Sequence, residues 1–108
     1  MTAPNVEVDR IDPSQYKTVA GLAAIFASPV RIAALVALDR NPSSPTSLAD
    51  TLGMTIATVN AHLRTLKLAK LVDSERPQDD RRSVVYRVTG PGQLAVSALL
   101  GLTEATRS

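Results

Sequence analysis

The sequence predicts a mainly α-helical domain that carries one small β-hairpin. Three observations support this fold class. Apolar residues recur at helical spacing over most of the chain, and the loop NPSSP and Gly53 separate the helices. Two short segments bracket a polar run, and Val84, Tyr86 and Val88 alternate in the second of them. The 108 residues are the usual length of a single domain that buries a core.

Composition and charge exclude several classes of protein. The chain has no cysteine, which excludes disulfides, thiolate metal sites and thiol redox switches. No segment approaches the roughly 18 apolar residues of a membrane span. The first residues, MTAPNVEVDR, carry acids where a signal peptide carries basic residues, so we expect a cytoplasmic protein that does not enter a membrane. Residues 55–88 hold seven basic and four acidic side chains, a modest surplus that favours a polyanionic partner.

The first third of the chain predicts an arm and two helices. Residues 1–12 lack apolar periodicity and predict a flexible N-terminal arm, and residues 13–108 predict a single domain. Ser14 can cap the first turn of a helix that ends near Ser28. Pro29 suits the first turn of a second helix, whose few polar positions predict burial on most sides.

Residues 47–69 have the spacing of a helix-turn-helix. Thr46 or Ser47 can cap a short helix from Leu48 to Leu52, which Gly53 ends. Thr55 can cap the next helix, which runs to about Ala69. This second helix turns an apolar stripe inward, formed by Val59, Leu63 and Leu66. Ala49 and Gly53 are small residues at the positions where the two helices must pack closely.

The segment 71–88 predicts a β-hairpin, with strands from Leu71 to Glu75 and from Ser83 to Val88 on either side of RPQDDRR. A last helix over 91–104 follows Gly90, with one apolar face formed by Leu94, Ala95, Ala98, Leu99 and Leu102. A helix-turn-helix followed by a charged hairpin and a further helix is a winged helix. We therefore predict a winged helix-turn-helix with additional N- and C-terminal helices.

Three segments carry a resemblance to known regulators: SPVRIAALVAL, LADTLGMTIATVNAHLRTLKLAKLV and DDRRSVVYRVTGPGQL. They resemble the winged-helix transcriptional regulators of the ArsR and MarR type over roughly residues 28–100. The first two segments are more similar to the ArsR pattern. Asp80, Arg81 and Arg82, followed by Tyr86, Val88 and Thr89, are similar to the MarR wing. The resemblance implies a DNA-binding transcriptional regulator, expected to act as a repressor.

Metal sensing and catalysis do not fit the sequence. Metal-sensing ArsR-type proteins carry ligands that include cysteine near the helix-turn-helix, or ligand pairs on the last helix, and the sequence has neither. His62 is the only histidine and cannot form a metal site alone, so we expect it on the helix surface or against a phosphate. No nucleophile stands with a plausible base and there is no glycine-rich phosphate loop. We expect no enzyme, no metal and no other cofactor.

The predicted DNA interface consists of the outward face of the second motif helix and the wing. Its helix residues are Thr55, Ile56, Ala57, Thr58, Asn60, Ala61, Arg64 and Lys67, and its wing residues are Arg76, Arg81 and Arg82. Asn60 can pair with adenine, Arg64 can reach guanine or phosphate, and Ile56 and Ala57 can contact thymine methyl groups. The wing arginines would lie at the flanking minor groove or at phosphates, unless Asp79 and Asp80 only neutralise them in exposed ion pairs.

Apolar stripes on the first and last helices predict a homodimer on an inverted repeat of double-stranded DNA. The residues assigned to the dimer interface are Tyr16, Val19, Ala23, Phe26, Leu94, Ala98, Leu99 and Leu102. A two-fold dimer would place two recognition helices about one DNA turn apart. The alternative is that both stripes cover the single core. Two other functions also stay open: a winged helix that docks a protein, and a DNA-binding protein of plasmid or phage maintenance. The sequence leaves open whether a small-molecule effector is sensed.

Overall fold

The computed structural model describes residues 10–76 and 84–107. A 3-10 turn, Pro13–Tyr16, leads into α1. The helices and strands that follow, in chain order, are α1 (Lys17–Ile25), α2 (Pro29–Arg40), α3 (Pro45–Leu52), α4 (Ile56–Leu68), β1 (Val72–Glu75), β2 (Val85–Val88) and α5 (Gly90–Arg107). The predicted fold class, a winged helix-turn-helix with helices added at both ends, is confirmed.

The core lies between the helix-turn-helix and α2. Its buried apolar side chains are Ala34, Leu35, Leu38, Leu48, Ala49, Val59, Leu63, Leu66, Leu71, Val72 and Val96. Helix α2 packs against α3, α4, α5 and β2, so it is the central helix, as its lack of polar positions predicted. The inward stripe of α4 is confirmed, because all three of its side chains are buried.

Helix α5 packs on the core through residues outside its predicted apolar face. Its buried residues are Gly92 and Val96, whereas Leu94 is 72% exposed and Leu102 is 62% exposed. The exposed residues belong to the apolar face assigned to the dimer interface, which stays a prediction, whereas the core-facing pair was not predicted. Gly92 has no side chain, and this allows the helix to approach the chain at Leu71 closely enough to bury Val96. The helix also begins at Gly90 and continues to Arg107, beyond the predicted 91–104.

Several helix boundaries differ from prediction because another residue supplies the cap. Ser44 caps α3, its Oγ accepting the Ser47 N–H at 3.1 Å, so this helix begins at Pro45 rather than Leu48. Asp12, not Ser14, caps the first 3-10 turn and accepts the Ser14 N–H at 3.0 Å. This backbone hydrogen bond holds the pKa of Asp12 below its ordinary value.

The hairpin is antiparallel, and Val72 lies opposite Val88. Ser43 pairs with β2 through an isolated antiparallel β-bridge. Its N–H donates to the Tyr86 carbonyl at 3.0 Å, and the Tyr86 N–H donates to the Ser43 carbonyl at 2.8 Å. The NPSSP segment, predicted as a loop alone, is thus tied to the wing. The predicted wing residues Arg81 and Arg82 lie outside the described residues.

Over residues 10–76 and 84–107, no single helix is long and apolar enough to cross a membrane. The pair Pro13–Ile25 and Pro29–Arg40 meets the length and composition of a span only when taken together, and it is bent by 82°.

Candidate nucleic-acid interface

Thr55 caps the second helix of the motif, as predicted. Its Oγ1 accepts the Thr58 N–H at 3.2 Å and lies 2.8 Å from the Thr58 hydroxyl. This cap satisfies one of the N–H groups that the first turn of a helix leaves without a partner. The remaining N–H groups of the turn stand at an exposed helix end, where a phosphate would be favoured.

The outward face of α4 is exposed over its whole length. All the helix positions predicted to face DNA are exposed: Thr55, Ile56, Ala57, Thr58, Asn60, Ala61, Arg64 and Lys67. Among them Ile56 is 46% exposed, a large apolar residue that the described part of the protein covers only in part. Arg76, at the end of β1, is exposed as well. His62 lies at the edge of this face and is half-buried.

A groove of about 590 Å³ runs between α4 and the hairpin. Asn60, Arg64, Lys67, Leu68, Lys70 and Tyr86 line it. Three of these residues are basic and none is acidic. The Lys67 Nζ donates to the Ser74 Oγ at 2.7 Å, a contact that joins the middle of β1 to α4.

The acids of the hairpin strands lie away from this groove. Side chains alternate along a strand, so Asp73 and Glu75 point to the opposite face from Ser74. Glu75 pairs there with Arg87, and the Asp73 carboxylate accepts the Ser74 N–H at 2.8 Å. The groove therefore presents positive charge to an incoming anion without competition from these carboxylates.

Three groove residues, Leu68, Lys70 and Tyr86, were missing from the predicted interface. Lys70 follows the end of α4, beyond the periodic pattern that selected the outward face. Tyr86 lies opposite Ser74 across the hairpin and so shares its face, which requires knowledge of the strand register. The sequence did offer one signal for Lys70, because a lysine stands just after the end of a helix, where glycine is common.

A second surface is apolar. No residue of α1 is buried, and Tyr16 and Val19 are 49% and 61% exposed. Of the other predicted interface residues, Ala23, Leu94, Ala98 and Leu102 are exposed, while Phe26 and Leu99 are half-buried. A groove of about 330 Å³ between α1 and α5 is lined by Leu22, Phe26, Leu94 and Ala98 among others.

Among the described residues, no group of three His, Cys, Asp or Glu side chains could hold a metal ion.

Comparison with known sequences identifies the family. A sequence model of the MarR family matches residues 28–83, just over half of the chain. The chain belongs to the MarR family. The match begins at the cap of α2 and extends through the helix-turn-helix into the wing, which settles the choice between ArsR and MarR that the sequence left open. A search of the curated proteins gave no match.

Solved structures share the fold of this MarR-family chain. The Staphylococcus aureus MepR–DNA complex has a TM-score of 0.72 at 19% identity, covering 88% of this chain and 80% of that one. The homodimeric winged helix-turn-helix DNA-binding domain of a possible ArsR-family regulator from Mycobacterium bovis has a TM-score of 0.71 at 24% identity, covering 92% and 88%.

Streptococcus pneumoniae FabT in complex with DNA has a TM-score of 0.67 at 22% identity, covering 73% of this chain and 56% of that one. The chain spans just over half the length of FabT and of Lactococcus lactis ZitR.

Proposed function

We propose that this MarR-family protein is a sequence-specific DNA-binding transcriptional regulator that represses by occupying promoter DNA. The observation that carries the proposal is the exposed face of α4 beside a basic groove, which no acid lines among the described residues. An α-helix fits the major groove of B-DNA, and the strands beside it would then meet the flanking minor groove or the phosphates. The structural relatives MepR and FabT have been solved with DNA. Such a function belongs in the cytoplasm.

The proposed contacts follow from chemistry and position. Asn60 and Arg64 carry the groups that pair with adenine and guanine, and Ile56 offers its exposed apolar surface to thymine methyl groups. Thr55, Ala57, Thr58 and Ala61 are small, which lets the helix approach the bases closely. Lys67 and the wing arginines Arg76, Arg81 and Arg82 are assigned to phosphates or the minor groove.

The proposed regulator binds as a homodimer on an inverted repeat. The stripes of α1 and α5 expose large apolar side chains to water on both sides of an apolar groove. A second copy of the chain would bury them. The similar domain from Mycobacterium bovis is homodimeric. Two recognition helices related by a two-fold axis would read half-sites about one DNA turn apart.

A selection from random-sequence duplex DNA, followed by binding titrations across salt concentrations, tests the proposal. We expect a two-fold symmetric site whose affinity falls steeply with salt. Arg64→Ala should relax the preference at one base pair per half-site, a loss of about 1–3 kcal/mol of discrimination. Arg107→Ala removes the same charge at the far end of α5 and should leave the preference unchanged.

Absence of duplex binding at low salt would contradict the proposal. It would favour the alternative in which the exposed face of α4 docks another protein.

A further inference from the structure

We propose that Lys70 is a phosphate-binding residue, held in a strained backbone conformation so that its ammonium group completes the basic groove beside α4. The inference rests on the proposed DNA-binding function and adds a contact that the helical pattern did not predict. The ligand chemistry is a phosphodiester of the DNA strand that passes between the recognition helix and the wing.

The backbone of Lys70 is the first observation. Its φ of 64° is left-handed, and no other non-glycine residue among those described has a positive φ. The turn that ends α4 requires this conformation: the Lys70 N–H donates to the Lys67 carbonyl at 2.9 Å, and the Leu71 N–H donates to the Leu66 carbonyl at 3.0 Å. A side chain with a Cβ is disfavoured here relative to glycine.

The same turn at the end of α3 uses glycine. Gly53 has a φ of 66°, and the Gly53 and Met54 N–H groups donate to the Asp50 and Ala49 carbonyls in the same pattern. The chain therefore has glycine where only the turn is needed and lysine at the second site. A non-glycine residue that persists in a strained conformation is an indication of a functional side chain.

The surroundings of Lys70 show what that side chain could bind. It lines the groove together with Arg64 and Lys67, and no acidic residue of 10–76 or 84–107 lines it. Lys67 already donates to Ser74, whereas the Lys70 ammonium has no hydrogen bond or ion pair within the described part of the chain. The Thr89 hydroxyl donates to the Lys70 carbonyl at 2.7 Å and so fixes the position of its backbone. A lysine with a fixed backbone in a basic groove is suited to bind a phosphate.

Substitutions at position 70 separate the turn from the charge. Lys70→Gly removes both the strain and the ammonium, Lys70→Asn keeps a residue that tolerates the turn, and Lys70→Arg keeps the charge. The measurements are thermal unfolding and affinity for the selected duplex. Affinity is measured between about 50 and 200 mM salt, because binding through phosphate contacts weakens strongly over this range. Arg107→Ala is the control for net charge.

We expect Lys70→Gly to raise the melting temperature by about 4 °C and to lower affinity about tenfold near 0.1 M salt. For both Lys70→Gly and Lys70→Asn, the plot of log affinity against log salt should become less steep, its slope falling in magnitude by about one per protomer. Lys70→Arg and Arg107→Ala should keep the original slope. Unchanged slopes for Lys70→Gly and Lys70→Asn would overturn the inference, as would a loss of binding that accompanies a lower melting temperature. A wild-type protein that binds no DNA would instead refute the proposed function.

Discussion

Gly92 lies so close to the carbonyl oxygen of Leu71 that a Cβ on Gly92 would overlap with it. Thr89 reinforces this contact. Its N–H donates to the Leu71 carbonyl at 3.0 Å, and its hydroxyl donates to the Lys70 carbonyl and accepts the Gly92 N–H. The start of α5 is thereby fixed to the end of α4, so the helix proposed to form the dimer and the helix proposed to read DNA meet at one rigid junction.

Gly92→Ala should destabilise the fold by about 2–3 kcal/mol, the upper part of the range for overpacking a tight contact. The obstacle is main chain rather than a flexible side chain, so relief requires a shift of α5 or of the segment at Leu71. Urea unfolding measures the change. Gly90→Ala is the control, because a Cβ on Gly90 would have open space around it, and we expect a change within about 0.5 kcal/mol. Equal effects of the two substitutions would contradict the close contact.

Thr89→Val should cost about 1–2 kcal/mol, because the isosteric side chain loses both hydroxyl hydrogen bonds, one of which caps α5. Thr103→Val, farther along α5, removes only a hydroxyl bond to the Leu99 carbonyl of its own helix and should be nearly neutral. The comparison uses the same unfolding measurement. A neutral Thr89→Val would mean that the two hydroxyl hydrogen bonds do not stabilise the junction.

The helix-turn-helix could be predicted from sequence because its signals are local. Thr55 is a residue type that caps helices, and its side chain does so. Gly53 is suited to the left-handed conformation it adopts. The inward stripe of α4 sets which face remains for DNA, so the exposed positions from Ile56 to Lys67 followed from periodicity.

Features that depend on distant parts of the chain could not be predicted. The bridge between Ser43 and Tyr86 joins residues far apart in sequence, and nothing in NPSSP marks it. The choice of Ser44 over its neighbours as the α3 cap could not be made by residue type, since serine and threonine are all good caps. At the candidate site, Lys70 and Tyr86 enter the groove only through the turn after α4 and the strand register.

Helix α5 shows the same limit with a consequence for assembly. Gly92 and Val96 lie four residues apart and face the core, while Leu94, Ala98 and Leu102 are spaced by four and are all exposed. The helix therefore has two apolar faces rather than one. The core of the protomer buries the face with Gly92 and Val96. The face with Leu94, Ala98 and Leu102 would be buried only by a binding partner.

Leu102→Asp should convert the proposed dimer to monomer, because a carboxylate in an apolar interface is strongly disfavoured unless it is paired. We expect sedimentation at micromolar concentration to show twice the chain mass for the wild type and a single chain for the variant, a weakening of at least about 100-fold. Leu102 is 62% exposed in the single chain, so its substitution should leave the fold of each protomer intact, which circular dichroism would check. Gln93→Asp adds the same charge on the other side of α5 and should remain dimeric. If the wild type itself sediments as a single chain, the exposed face of α5 is not an interface between copies. The proposed binding of a homodimer to an inverted repeat would then be refuted as well.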